Sequence, residues 1–162
     1  MKRRVLLTGA RLIDGTGLPA KLGDLLLEDD RIAEVGETSL PPDETIDARG
    51  MVIAPGFIDM HSHGDFSLPR DPDAAAKVLQ GVTTEVIGNC GLGLHPSNEA
   101  VDELYQRIAP IVFGEGGALC SRTLDDYRGR LEATGISVNA VPLIAHGNVR
   151  AMVMGMSEAD PT

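Results

Sequence analysis

The chain has 162 residues, 43% of them hydrophobic, and a formal net charge of −10 at neutral pH. That is enough apolar material for a domain-sized core and too much for a disordered chain, while the acidic balance argues against a nucleic-acid backbone or an anionic membrane as partner, since both would repel it. No apolar run approaches the roughly 20 residues of a membrane span, and two cysteines, Cys90 and Cys120, are too few for a disulfide framework; the expectation is a cytoplasmic protein that acts on a small molecule.

In chain order, the opening "MKRRVLLTGARLIDGTG" has basic residues but no leader's apolar stretch, because Thr8, Gly9 and Arg11 interrupt it at once. The runs "RVLLTGARLID", "GDLLLEDDRIAEVG" and "ETIDARGMVIAP" alternate and turn at Asp29-Asp30 and Arg49-Gly50. They predict a small β module over residues 1–55, with Leu25 and Leu27 on one face and Leu26 on the other. Pro41-Pro42 marks a loop within it, since consecutive prolines neither donate to a ladder nor continue a helix.

From residue 56 to 162 the rhythm becomes strand, loop, helix. "GFIDM" reads as a short strand buried on both faces, "DPDAAAKVLQG" as a helix ending at Gly81, and "VTTEVIG" as a second strand followed by a helix over 98–108. Thr123 and Asp126 form a capping-box pattern before Leu124, Tyr127 and Leu131, with Thr134-Gly135 as the stop, and "ISVNAVPLIA" is a third strand. Strands alternating with helices predict a parallel α/β arrangement.

The polar groups gather at the carboxyl ends of those strands: His61 and His63 after the first, Cys90 in "GNCG" after the second, His146 in "AHGN" after the third. Catalytic mouths of (β/α)₈ barrels are built at that face. On a strand, residues i and i+2 point the same way, so His61 and His63 make a metal half-site, although two solvent-facing histidines would give the same spacing. Glycines around Cys90 make a loop there instead of a core, which favours a ligand over a small buried hydrophobe. Asp59, two before His61, either orients an imidazole or is an ordinary strand carboxylate. His146 is a candidate for lining the pocket or bonding the substrate, and Arg150 either meets a substrate carboxylate as a fork or lies on a helix surface. His95 reads as a surface-loop residue, and Cys120 is given no role.

"APGFIDMHSH" resembles the first-strand signature of the amidohydrolase superfamily, and "GVTTEVIGNCG" with "LIAHGNVRAMVMG" resembles its D-aminoacylase family, the N-acyl-D-amino-acid deacylases. The resemblance implies an α/β fold: a β-sandwich-like module built from both termini, flanking a metal-dependent (β/α)₈ TIM barrel of which this chain carries about three strands. It implies zinc (Zn²⁺) held by His61, His63 and Cys90, where hydantoinases and dihydroorotases use a carboxylated lysine. Borderline-soft zinc suits imidazole and thiolate together. The implied reaction is hydrolysis of N-acyl-D-amino acids to a carboxylate and a free D-amino acid, with a general-base aspartate and two further histidines supplied from beyond residue 162. Family members commonly carry an acid directly after the second histidine, where this chain has Gly64 and then Asp65. Three strands cannot close a barrel, so the chain is expected to be inactive alone and completed by further sequence or a second chain. The alternatives are a cyclic-amide hydrolase of the dihydroorotase or hydantoinase kind, or a non-catalytic oligomerising fragment with a partial zinc site.

Overall fold

The alternating runs before Pro55 pair into a five-stranded sheet in the computed structural model, which describes residues 2–112 and 120–160. Strands β1 (Arg4–Leu12), β2 (Lys21–Glu28) and β3 (Arg31–Gly36) form an antiparallel meander. β4 (Glu44–Asp47) and β5 (Val52–Ile53) each run parallel to β1, giving the order β3-β2-β1-β4 with β5 beside the end of β1. The β2–β3 turn is set by Asp29, whose φ of 53° is left-handed and whose carboxylate accepts the Arg3 N–H at 2.9 Å; a short acidic side chain tolerates that conformation. The β1–β2 register shifts between Leu7 and Ala10, and the Gly9 N–H turns to the Asp24 carboxylate at 2.8 Å, so its donor is satisfied by a side chain. Leu25 and Leu26, successive on β2 and therefore on opposite faces, are both buried.

The chain divides into two compact units, Met1–Pro55 and Gly56–Thr162. In the second, β6 (Phe57–Asp59), β7 (Val82–Ile87) and β8 (Asn139–Pro142) form a parallel sheet with β7 in the middle. The connections carry α1 (Gly64–Ser67), α2 (Ala75–Val78), a 3₁₀ turn at Asn89–Gly91, α3 (Glu99–Val112) and α4 (Leu124–Thr134), and α5 (His146–Met154) follows β8. Asn98 caps α3, accepting the Val101 N–H at 3.2 Å. Thr123 and Asp126 close the capping box of α4, and Gly135, with φ of 76°, ends it.

Two elements are shorter than the sequence predicts. The helix expected over 71–81 is helical only from Ala75 to Val78, because Pro72 disfavours helix at Asp71 and Ala74 sits at a φ of 46°. The third strand, expected over 136–145, pairs only from Asn139 to Pro142. The core of this unit joins Phe66 and Leu68 to Ile87, Leu94, Tyr105, Tyr127 and Leu131, and each large side chain buried contributes about 1.5–3 kcal/mol. Phe57, Ile58, Val141 and Leu143 remain exposed.

Candidate metal centre

His61 and His63 lie just past the end of β6, His61 in a bend and His63 as the N-cap of α1. The pleat of a strand therefore does not align them, contrary to the spacing argument; the bend does, with ring centroids 5.9 Å apart and planes inclined at 67°. Cys90 enters from the 3₁₀ turn after β7, at a φ of 57°. Its Sγ lies 3.1 Å from His61 Nε2. Among the described residues, the ligating atoms of His61, His63 and Cys90 form the one group of three or more metal-capable donors, all within 4.8 Å of one another.

Donors sharing one tetrahedral zinc at bond lengths of about 2.0–2.3 Å lie about 3.3–3.6 Å apart, so a set gathered within 4.8 Å takes one ion after about 1 Å of closure. Two imidazoles and a thiolate also suit a borderline-soft divalent ion chemically. His61 and Cys90 are exposed and His63 half-buried, leaving the set accessible from solvent. Burial, then the neighbouring His61, lowers the His63 pKa, which favours the neutral ring a metal needs.

Behind the histidines is a polar layer that spacing does not reveal. Asp59 does not touch an imidazole: one carboxylate oxygen accepts the backbone N–H of His61 at 3.1 Å and the other takes Lys77 Nζ. These hydrogen bonds, Lys77 first, hold its pKa below the usual carboxylate range. Lys77 also lies 3.7 Å from the buried Glu85, which accepts a short hydrogen bond from Ser62 Oγ. Burial pulls the Lys77 pKa down, but Asp59 and Glu85 outweigh it and the net direction is upward.

Asn89 precedes the cysteine in the same turn. Its Nδ2 donates to the carbonyl of Ser62, between the two histidines, at 3.1 Å, and to that of Val86 at 2.7 Å. Asp65 is 1% exposed. Burial raises its pKa to about 7, with the N–H groups of Gly88 and Leu94 pulling the other way; these face the carboxylate without closing hydrogen bonds of good geometry. Gly88 has to be glycine, since at its φ of 80° a Cβ would lie 2.6 Å from the Leu143 carbonyl oxygen.

The remaining candidates sit elsewhere. His146 opens α5 and is exposed, next to Gly147, where a Cβ would meet the Gly91 carbonyl oxygen at 2.5 Å. Its neighbour of interest is Asn148, buried and donating to the carbonyls of Gly93 at 2.7 Å and Pro96 at 3.0 Å. Arg150 is not poised for a substrate carboxylate: its guanidinium is engaged at the C-terminal end of α5 by Met154 Sδ at 3.3 Å and the Ser157 carbonyl at 2.8 Å. His95 is not on the surface either. It is 2% exposed, stacked on Tyr127 at 5.3 Å, and burial lowers its pKa. Burial, then Asp102, pushes the Cys120 thiol up to about 12, the state of an inert cysteine.

Comparison with known proteins agrees with the sequence resemblance. Residues 44–159 match the model of the family described as "Amidohydrolase family". The chain is 42% identical over 152 residues to a D-aminoacylase of Alcaligenes xylosoxydans xylosoxydans, covering 93% of this chain and 30% of that protein. It is 40% identical to an N-acyl-D-aspartate deacylase of the same organism, covering 92% and 29%. The crystal structure of the N-acyl-D-glutamate deacylase from Bordetella bronchiseptica, complexed with zinc and a phosphonate inhibitor that mimics the tetrahedral intermediate, superposes with a TM-score of 0.85 at 36% identity, covering 100% and 33%. The chain thus spans about a third of the length of these relatives. With the motifs, the clustered donors and a family match over most of its length, the chain belongs to the amidohydrolase family.

Proposed function

We propose that this chain forms the N-terminal part of a zinc-dependent N-acyl-D-amino-acid deacylase: residues 1–55 as one half of a β-sandwich module and residues 56–162 as the first β/α units of the TIM barrel. The observation that carries the reading is the approach of His61, His63 and Cys90 to within 4.8 Å of one another at the carboxyl ends of two parallel strands. When bound there, zinc supplies a Lewis acid and lowers the pKa of coordinated water toward ≈ 7. The chain's own residues hold it: two imidazole nitrogens and one thiolate give the ligands, and Asp59 with Lys77 fixes the backbone of His61. His146, at the start of the helix that touches the Cys90 turn, faces the substrate.

The reaction breaks the acyl C–N bond, water's oxygen going to the acyl carbon and its proton to the leaving amine. The general-base aspartate for that transfer belongs to barrel sequence outside these residues, and the remainder of the barrel is the partner the chain needs. Two unpaired cysteines in these 162 residues suit a reducing cytoplasm, and no helix among the described residues is long and apolar enough to cross a membrane. Cyclic-amide hydrolysis is not favoured, since a D-aminoacylase and two N-acyl-D-amino-acid deacylases match more than nine-tenths of this chain, whereas two dihydroorotases match 36% of it.

The test is to assay the protein at its full natural length against N-acetyl-D- and N-acetyl-L-amino acids while measuring bound zinc. D-specific hydrolysis that falls with chelation and returns with zinc is expected. No hydrolysis of any N-acyl-D-amino acid by zinc-loaded protein would overturn the reading.

A further inference from the structure

We infer that two asparagines, Asn89 and Asn148, are positioning residues that hold the Cys90 turn at ligating distance from the histidines. The inference rests on the proposed metal site. The turn departs from a regular backbone: Gly88, Cys90 and Gly91 all have left-handed φ, at 80°, 57° and 74°. A segment of that kind has few regular backbone hydrogen bonds to keep its place, so it keeps it through side-chain bonds to its surroundings. Asn89 acts on one end. Its amide spans from the carbonyl of Val86, within β7, to the carbonyl of Ser62, and so links the cysteine's segment to the backbone between the two histidines.

Asn148 acts on the other end, from α5. Its Nδ2 donates to Gly93 O and Pro96 O, its Oδ1 accepts from Tyr105 Oη at 3.0 Å, and Tyr105 Oη in turn accepts the Gly93 N–H at 2.8 Å. Both polar groups of the Gly93 backbone are thereby fixed within a buried, fully bonded network. Such networks orient a ligand at the cost of any slack, and losing a partner that orients a metal ligand weakens metal binding by about 10- to 100-fold. Neither asparagine contacts the ligating atoms, so each acts through the backbone that carries Cys90.

The test uses cobalt(II) in place of zinc in the full-length protein and reads the thiolate-to-cobalt charge-transfer absorption, the cobalt affinity and the melting temperature. Wild type is expected to show the band and Cys90→Ser to lose it; absence of the band from wild type would overturn the metal assignment itself, and with it this inference. With the band present, Asn89→Ala and Asn148→Ala are each expected to weaken cobalt affinity about 10- to 100-fold and to shift or diminish the band. Asn89→Asp separates positioning from charge: it adds a negative charge beside the site yet removes both donors, and weaker binding is the expected result. Leu26→Ala, in the β module, provides a loss of stability that leaves band and affinity unchanged. Should an asparagine variant fail to fold, Tyr105→Phe removes a single oxygen from the same network and is expected to weaken affinity several-fold. Cobalt affinity and band within twofold of wild type in the folded variants would overturn the inference, whatever their melting temperatures.

Discussion

The two units bury different things. In the β module the buried side chains are Ala10, Leu25, Leu26 and Ala48, all apolar. In the second unit Ser62, Asp65, Glu85, His95, Ser97, Ser121 and Asn148 are buried beside the apolar core, and among the described residues every buried polar side chain is there. A buried polar group is costly unless bonded, so a unit that only needs to fold avoids them. A unit that must hold ligating atoms in a fixed array gains orientation from them. The second unit thus trades packing simplicity for a supported array of donors, whereas the described core of the module is apolar.

The sharpest way to break that contrast is Cys90→Ala in the full-length protein. Deacylase activity is expected to fall at least 1000-fold, about 4 kcal/mol of transition-state stabilisation at 1.36 kcal/mol per tenfold, with zinc lost and the circular-dichroism spectrum unchanged. Activity retained without zinc would show that the thiolate does not hold the metal. Leu26→Ala, on a strand with no buried polar neighbour and 0% exposed, should do the opposite. A loss of about 2–5 kcal/mol in stability is expected by denaturant titration, with zinc content per folded molecule intact; a drop in zinc would dissolve the distinction between the units.

Lys77→Met tests the polar layer. The ammonium is paired with Asp59 and lies 3.7 Å from Glu85, itself 1% exposed, so its removal leaves a buried carboxylate with Ser62 alone. Because Lys77 is partly open to solvent, about 1–3 kcal/mol of destabilisation is expected instead of the 3–5 kcal/mol of a fully buried pair. Equal stability of variant and wild type at pH 7 would show that the Lys77 ammonium does not support the polar layer. The smallest effect concerns His95, whose burial lowers its pKa from 6.5. The unfolded chain then takes up that proton first as pH falls, so the contribution of neutral His95 is complete above about pH 6.5 and declines below it. Stability measured from pH 8 to pH 5 should fall less steeply in His95→Phe, and matching slopes would refute the burial argument.

Much of this was legible in the residues. Alternation and turn chemistry located the strands of the module, the Thr123–Asp126 pair marked the start of α4, and the motifs around His61, His63 and Cys90 picked out the three donors that converge. What escaped has a common cause. The support of the site is made by backbone carbonyls and by residues distant in sequence: Asn89 reaching Ser62, and Asn148 reaching Gly93 across 55 positions. Spacing along the chain carries no signal for such partners, because a carbonyl is present at every residue. The same limit left two readings open for Asp59, whose partners are an amide and Lys77, and for Arg150, whose guanidinium bonds the Ser157 carbonyl beyond the end of its helix. His95 was read as surface because its neighbours are loop residues; Tyr127, which covers it, comes from α4.

The left-handed backbone at Cys90 also bears on how the position would drift. A side chain with a Cβ at a φ of 57° costs about 1–2 kcal/mol that glycine does not incur, and asparagine tolerates the angle better than cysteine. A library sorted only for thermal resistance, without metal, should therefore enrich glycine and asparagine at residue 90. The same library sorted for catalysis should keep cysteine there and accept the lower melting temperature. On the proposed metal role, the sulfur of Cys90 is set against the preference of its own backbone, and that opposition is visible in one dihedral angle.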